Sequence, residues 1–190
     1  MSQWSQLRKL CTHLHTRGFI PDNDLFYFCH LDLFGRNILV SPSPDKLTIT
    51  GVLDWDSDYV KFCPKFMAYR APFWLWVDNG DDAEDEEFYA YEPIDEQKKA
   101  LKRYWESLAG DEWCRYAYTK EYSIARRAFT AVNFGFTDSQ YVHLVEKIVE
   151  EWQELYPEDD LENVWESDLE SECEDSDDEE QDTADTEQDL

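Results

Sequence analysis

The sequence predicts an α+β fold, mainly α-helical, with one small β-hairpin and an acidic tail. Three observations carry that expectation. Apolar residues recur at helical spacing near the N-terminus and again in three stretches after residue 95. Two strand-like runs, Ile38 to Val40 and Leu47 to Leu53, flank a proline-marked turn, Ser41-Pro42-Ser43-Pro44-Asp45, and read as a hairpin. From Pro157 to Leu190 there are 18 acidic residues and no basic ones. Such a segment buries too little apolar surface to offset the entropy of ordering it, so 157–190 reads as a disordered tail behind a folded domain at 1–156.

Taken in order, residues 2–17 read as an amphipathic helix with Trp4, Leu7, Leu10, Cys11 and Leu14 on one side and Gly18 as its stop. His13 and His15 are two apart, face different sides and read as surface residues. Leu25 to Cys29 reads as a short buried strand. The hairpin after it brings Asn37 and Asp54 to one end of a ribbon, with its register open because the connection has room for a bulge. Residues 55–77 are dense in aromatics, and Pro64 and Pro72 divide them into short helices or turns. Packing is the expected role of these aromatics, a substrate wall the sharper alternative.

Asp78 to Glu92 holds eight acidic residues and reads as a solvated loop. Three helices follow. The first starts after Asp95 as N-cap, carries Leu101, Tyr104, Trp105 and Leu108, and stops at Gly110. The second spans 111–132 with Trp113, Ala117, Ile124 and Ala128 inward. The third opens on Thr137-Asp138-Ser139-Gln140, a capping-box pattern, and ends before Pro157. Lys98, Lys99, Lys102, Arg103, Arg126 and Arg127 read as solvent-facing.

The length of 190 residues fits one folded domain. The net charge of -27 is concentrated in the tail; before it, 26 acidic residues face 17 basic ones, a net of -9. That balance argues against nucleic acid or an anionic membrane as partner. There is no opening signal peptide and no apolar run of the roughly 20 residues that a membrane span needs. The five cysteines, 11, 29, 63, 114 and 173, are scattered without a CxxC, which predicts free thiols and a cytoplasmic location. Ser167, Ser171 and Ser176 lie among acids, a setting for acid-directed phosphorylation, and the tail suits a basic protein partner.

The chemistry is concentrated in Phe28-Cys29-His30-Leu31-Asp32-Leu33-Phe34-Gly35-Arg36-Asn37 and in Gly51-Val52-Leu53-Asp54-Trp55-Asp56. A carboxamide and a carboxylate on a shared edge are hard oxygen ligands of the kind Mg²⁺ takes when it bridges phosphates. A second carboxylate, five residues before the carboxamide, is placed to orient a hydroxyl and accept its proton. His30 is the expected prop for the loop, by hydrogen bonding. Asp56 and Asp58 are candidates for outer contacts to the ion.

His30-Leu31-Asp32 with Asn37, followed by Leu53-Asp54-Trp55-Asp56, resembles the catalytic loop and metal-binding segment of the aminoglycoside phosphotransferase and choline kinase-like group. That group is related to the protein kinases, and the likeness is greatest to its members from filamentous fungi. The resemblance implies Asp32 as catalytic base, Asn37 and Asp54 as ligands of Mg²⁺ and the nucleotide it accompanies, and His30 as structural support. In protein kinases the matching segments are H-R-D-x-x-x-x-N and D-F-G. It further implies ATP as phosphoryl donor, a small-molecule hydroxyl as acceptor, and an amine on that acceptor if the acidic loop receives it.

Two positions depart from the pattern: Leu31 and Arg36 stand where Gly is frequent. The likeness is clearest from about residue 25 to 77 and covers only the C-terminal lobe of such a fold. No Gly-rich phosphate loop and no strand with a phosphate-pairing Lys precedes it, so the N-terminal lobe is expected to be missing. Residues 2–17 would be the helix leading into the catalytic loop. The competing expectation is an inactive, truncated pseudo-enzyme that binds a partner. A Ca²⁺ or Mg²⁺ module is disfavoured by the lack of EF-hand spacing.

Overall fold

A computed structural model describes residues 3–22, 25–55, 60–77, 88–135 and 139–161. The fold is mixed α+β and mainly helical, with two small antiparallel sheets. Its order is α1 (Gln3–Thr16), β1 (Phe26–His30), β2 (Ile38–Ser43), β3 (Lys46–Val52), β4 (Val60–Pro64), α2 (Lys65–Ala68), α3 (Glu96–Tyr118), α4 (Lys120–Phe134) and α5 (Ser139–Leu155).

The core is built where the helical periodicity placed it. Leu7, Leu10 and Leu14 form one stripe of α1 and are sealed from water. They pack with Ile124, Ala128 and Ala131 of α4 and with Val145, Ile148 and Trp152 of α5. Each large aliphatic side chain buried this way contributes about 1.5–3 kcal/mol. Gly18 ends α1 with φ +83° while Phe19 and Ile20 donate back to the Leu14 carbonyl, a left-handed stop that a Cβ would strain. Phe66 and Cys63 close this core from below the sheet. A second cluster joins Phe73, Trp76 and Val77 to Ala117 of α3.

Asp95 caps α3 as expected, its carboxylate accepting from the amides of Gln97 (2.9 Å) and Lys98 (3.0 Å). The break expected at Gly110 is present: Gly110 takes φ +79°, a non-helical kink that separates two helical segments within α3, and the extended Thr119 adds a second interruption. The expected second helix, 111–132, is therefore divided between α3 and α4.

Three further expectations are corrected. The strand before the Asp32 loop is not buried: Phe26 and Phe28 are 60% and 57% exposed, because among the described residues β1 pairs only with β4, a strand that the aromatic density of 55–77 concealed. Arg126, Arg127 and Lys102 are buried rather than solvent-facing. Arg126 donates to the carbonyls of Tyr116 (2.9 Å) and Phe66 (3.2 Å), satisfying the end of α3. Arg127 holds Glu151 of α5 by two parallel bonds of 2.9 and 2.7 Å, and Lys102 pairs with Glu92.

The third correction concerns the tail, whose expected start at Pro157 is too early. Asp159 accepts from Arg17 (2.9 and 3.1 Å) and from the Trp152 indole (3.0 Å), and Leu161 is fully buried in the main core. A local run of acids hid two residues that have partners on α1 and α5. Residues 162–190, with the three serines, lie outside the described residues, as do the capping-box residues 137 and 138 and the acidic stretch 78–87.

Candidate functional site

The site begins with the β2–β3 hairpin. Ile38 pairs with Val52, and a register shift between Leu39 and Val40 supplies the bulge for which the connection had room. Asn37 precedes the first paired residue and Leu53 follows the last, so the Leu53 amide donates to the Asn37 carbonyl at 2.8 Å. The Leu53 carbonyl accepts from His30 Nε2 at 2.8 Å. Because a carbonyl only accepts, Nε2 carries the proton and His30 acts as the expected prop. Its Nδ1 is buried without a partner among the described residues.

Both peptide groups of Leu53 are thus held, one by each arm of the site. Asp54 follows with φ +63°, the one non-glycine residue with positive φ among those described. Asp tolerates this left-handed region better than most residues, at a cost of order 1–3 kcal/mol where the surroundings enforce it. The Asp54 side chain is exposed. Trp55 secures the far side: its indole donates to the Val52 carbonyl at 2.7 Å, and its ring stacks on Phe28 at 5.8 Å and meets His30 edge-on at 5.2 Å.

Asp32 and Asn37 meet directly. The Asn37 amide nitrogen donates to Asp32 Oδ2 at 2.9 Å and to the Asp32 carbonyl at 2.8 Å. Asn37 is buried, and with its nitrogen committed, its Oδ1 is the atom left to face a cation. Arg36 reaches back to Asp32 Oδ1 at 2.7 Å and lies 4.6 Å above the Phe34 ring. A carboxylate offers about four acceptor positions, so Asp32 keeps capacity for an incoming hydroxyl even with both oxygens engaged.

The structure therefore brings Asp32 and Asn37 into side-chain contact and ties Asp54 to them through the backbone of Leu53. No three His, Cys, Asp or Glu side chains group as a metal site among the described residues. A carboxamide oxygen and one carboxylate still suit Mg²⁺, which keeps waters and substrate oxygens in its sphere and needs few protein ligands. Asp56 and Asp58 lie outside the described residues.

Behind the loop lies a cavity of about 530 Å³, walled by Tyr27, His30, Phe34, Tyr69, Trp74 and Trp113 among others. Leu31 and Leu33, on either side of Asp32, also line it. Tyr69 and Trp113 stack at 4.5 Å, and the Trp113 indole donates to the Arg70 carbonyl at 2.9 Å. Gly35 lets Trp74 close against the Asp32–Asn37 loop: a Cβ there would sit 3.2 Å from the indole. Burial pushes the Tyr69 phenol up despite the nearby Lys65 ammonium, keeping it neutral. Periodicity marked Trp105 and Trp113 as inward residues, and both line the cavity. Arg70 of the wall had no local signal. Neither a family model, a curated protein nor a solved structure matches this chain.

Proposed function

We propose that the chain carries the base and metal-ligand loops of a phosphotransferase of the aminoglycoside phosphotransferase and choline kinase-like type, laid out as the C-terminal lobe of a kinase-like fold. One observation carries the reading: the chain of bonds from His30 to Leu53 and from Leu53 to Asn37, which joins the Asp32–Asn37 pair to Asp54. Asp32 accepts the proton of the acceptor hydroxyl, a role that contributes about 10²–10⁴-fold in such reactions. Asn37 orients that carboxylate with its amide nitrogen and, with Asp54, would hold Mg²⁺ through oxygen. When bound, Mg·ATP supplies the phosphoryl group and the neutralising charge. Arg36 fixes Asp32 on its other side.

The acceptor in this reading is a small alcohol whose body sits in the aromatic cavity, a volume typical of ligand sites. Its aromatic walls favour an amine-bearing molecule through cation–π attraction. The location in this reading is the cytoplasm, and the tail is its candidate contact for a basic partner. Separately, no helix among the described residues is long and apolar enough to cross a membrane. Isothermal titration of Mg·ATP tests the reading. The parent chain binds, and Asp54→Ala binds at least about tenfold more weakly. No heat from either chain overturns it for this polypeptide.

A second reading, an inactive relative that binds a partner, is favoured by the hairpin itself. Leu39, Val40, Leu47 and Ile49 stand 46–66% exposed beside the site, a larger apolar surface than a solitary hairpin ordinarily shows to water. In that case Asp32→Ala leaves partner binding intact while Mg·ATP binding is absent from the parent.

A further inference from the structure

The two strands of the first sheet carry a pair of thiols that phosphoryl transfer does not use. Tyr27 faces Cys63 and Cys29 faces Lys61 in the β1–β4 register. Directly opposite residues share a face and side chains alternate along a strand, so Cys29 and Cys63 lie on one face, a single diagonal step apart. The Cys29 thiol leans back along β1 to the Tyr27 carbonyl at 3.1 Å, toward the residue that faces Cys63. Both cysteines are free thiols. Cys63 is fully buried in the core, whereas Cys29 is half-buried and lines the cavity, which gives a small oxidant a way in.

We propose that Cys29 and Cys63 form an oxidisable dithiol, a modification site that closes to a β1–β4 disulfide when hydrogen peroxide enters the cavity. The electrostatics suit the second step: the neighbouring Cys29 lowers the Cys63 thiol, burial opposes it, and Lys61 and the Arg70 guanidinium add to the lowering, which favours Cys63 as the attacking thiolate. Cys63 and burial push the Cys29 thiol up, so its place on the cavity wall, rather than thiolate character, is what brings it to the peroxide first. Cys29 takes the oxygen: the O–O bond breaks, one oxygen joins its sulfur as a sulfenic acid, and the first water leaves. Cys63 then attacks that sulfur, and the oxygen departs with the remaining thiol proton as the second water. Two thiols are oxidised by two electrons, and one peroxide is reduced to two waters.

The diagonal placement shapes the outcome. Diagonal neighbours on a sheet sit about 7–8 Å apart, beyond the usual span of about 4.4–6.8 Å between disulfide-bonded Cα atoms. Closure therefore draws β1 along β4, and the resulting bond is readily reduced. His30 is the next residue after Cys29, so the movement reaches its bond to Leu53.

Treating the reduced full chain with an equivalent of hydrogen peroxide, then counting thiols and mapping peptides by mass, tests this. The five thiols fall to three, a Cys29–Cys63 peptide pair appears, and dithiothreitol restores all five. Loss at these two positions runs about tenfold or more ahead of Cys11 and Cys114, since the partners share one face of a two-stranded sheet a single diagonal step apart. Cys29→Ala, at the edge of the core rather than inside it, abolishes the paired loss; Cys63→Ala leaves a trappable sulfenic acid at Cys29. Thiol loss spread evenly over the cysteines, or unchanged loss in Cys29→Ala, overturns the proposal. No ATP enters the assay, so its result is independent of the phosphotransferase reading.

Discussion

His30→Phe isolates the contribution of one hydrogen bond to the site. The substitution removes the Nε2 donor that holds the Leu53 carbonyl at 2.8 Å and keeps a ring where His30 meets Trp55 at 5.2 Å. The aromatic contact, about 0.5–1.5 kcal/mol, is therefore retained. A neutral hydrogen bond contributes about 0.5–1.5 kcal/mol net, and a stranded buried carbonyl costs about 1–3. Leu53 is 44% exposed, so water takes up part of the lost bond, and Nδ1, already without a partner among the described residues, costs nothing further when it becomes carbon. The balance is a loss of about 1 kcal/mol, or about 2–4 °C in Tm for a chain of this size. Urea unfolding at constant m-value measures it. His30→Gln, which returns a donor, recovers part of the loss. In titration His30→Phe weakens Mg·ATP, because the peptide entering Asp54 is held on one side only. A His30→Phe chain as stable as its parent, with unchanged nucleotide binding, would refute the idea that His30 is what fixes Asp54.

At Asp54 itself the φ of +63° separates stability from binding: Asp54→Gly folds at least as stably as the parent, Asp54→Ala is less stable than Asp54→Gly by about 1 kcal/mol, and both lose Mg·ATP affinity, as thermal melts and titrations will show. Arg127→Met leaves Glu151 buried without its two bonds and lowers unfolding free energy by about 3–5 kcal/mol. The double change Arg127→Met with Glu151→Met recovers much of that in denaturant melts. Asp159 titrates lower than an ordinary carboxylate: burial raises it, but the bonds from Arg17 and Trp152, with His13 nearby, more than offset that. A lowered folded-state value means a stabilising contribution that is complete above the ordinary value of 3.8 and lost as pH falls through the depressed one. Melting Asp159→Asn across that range gives a flatter acid limb than the parent, with the two curves separating most above it.

The helical part was legible because its signals are local. The Leu7, Leu10 and Leu14 stripe, the Asp95 cap and the Gly18 stop each need only neighbours within a turn or two, and the structure keeps all of them. Gly110 is kept too, as a non-helical break between two helical segments; local reading ends at Thr119, an extended interruption that no neighbouring glycine or proline announces. The buried cations were illegible for the same reason. Arg126 reads as surface until the carbonyls of Phe66 and Tyr116, 60 and 10 residues away, are known to be its acceptors. Asp159 looked like one acid among many, although its partners lie at opposite ends of the chain, His13 on α1, Arg17 just after it and Trp152 on α5.

The site divides along the same line. Asp32, Arg36 and Asn37 are held by contacts spanning four or five residues, so a short motif can specify them almost alone. Asp54 is different: its backbone is strained, and the strain is borne by a hairpin register and by a histidine 23 residues before Leu53 in the chain. A residue kept in an unfavourable conformation by two separate tethers, with its carboxylate turned to water, is poorly explained as a packing solution. Two hydrogen bonds converge on Leu53 beside an exposed carboxylate at the end of the hairpin, an arrangement that fits the divalent ion proposed between Asn37 and Asp54.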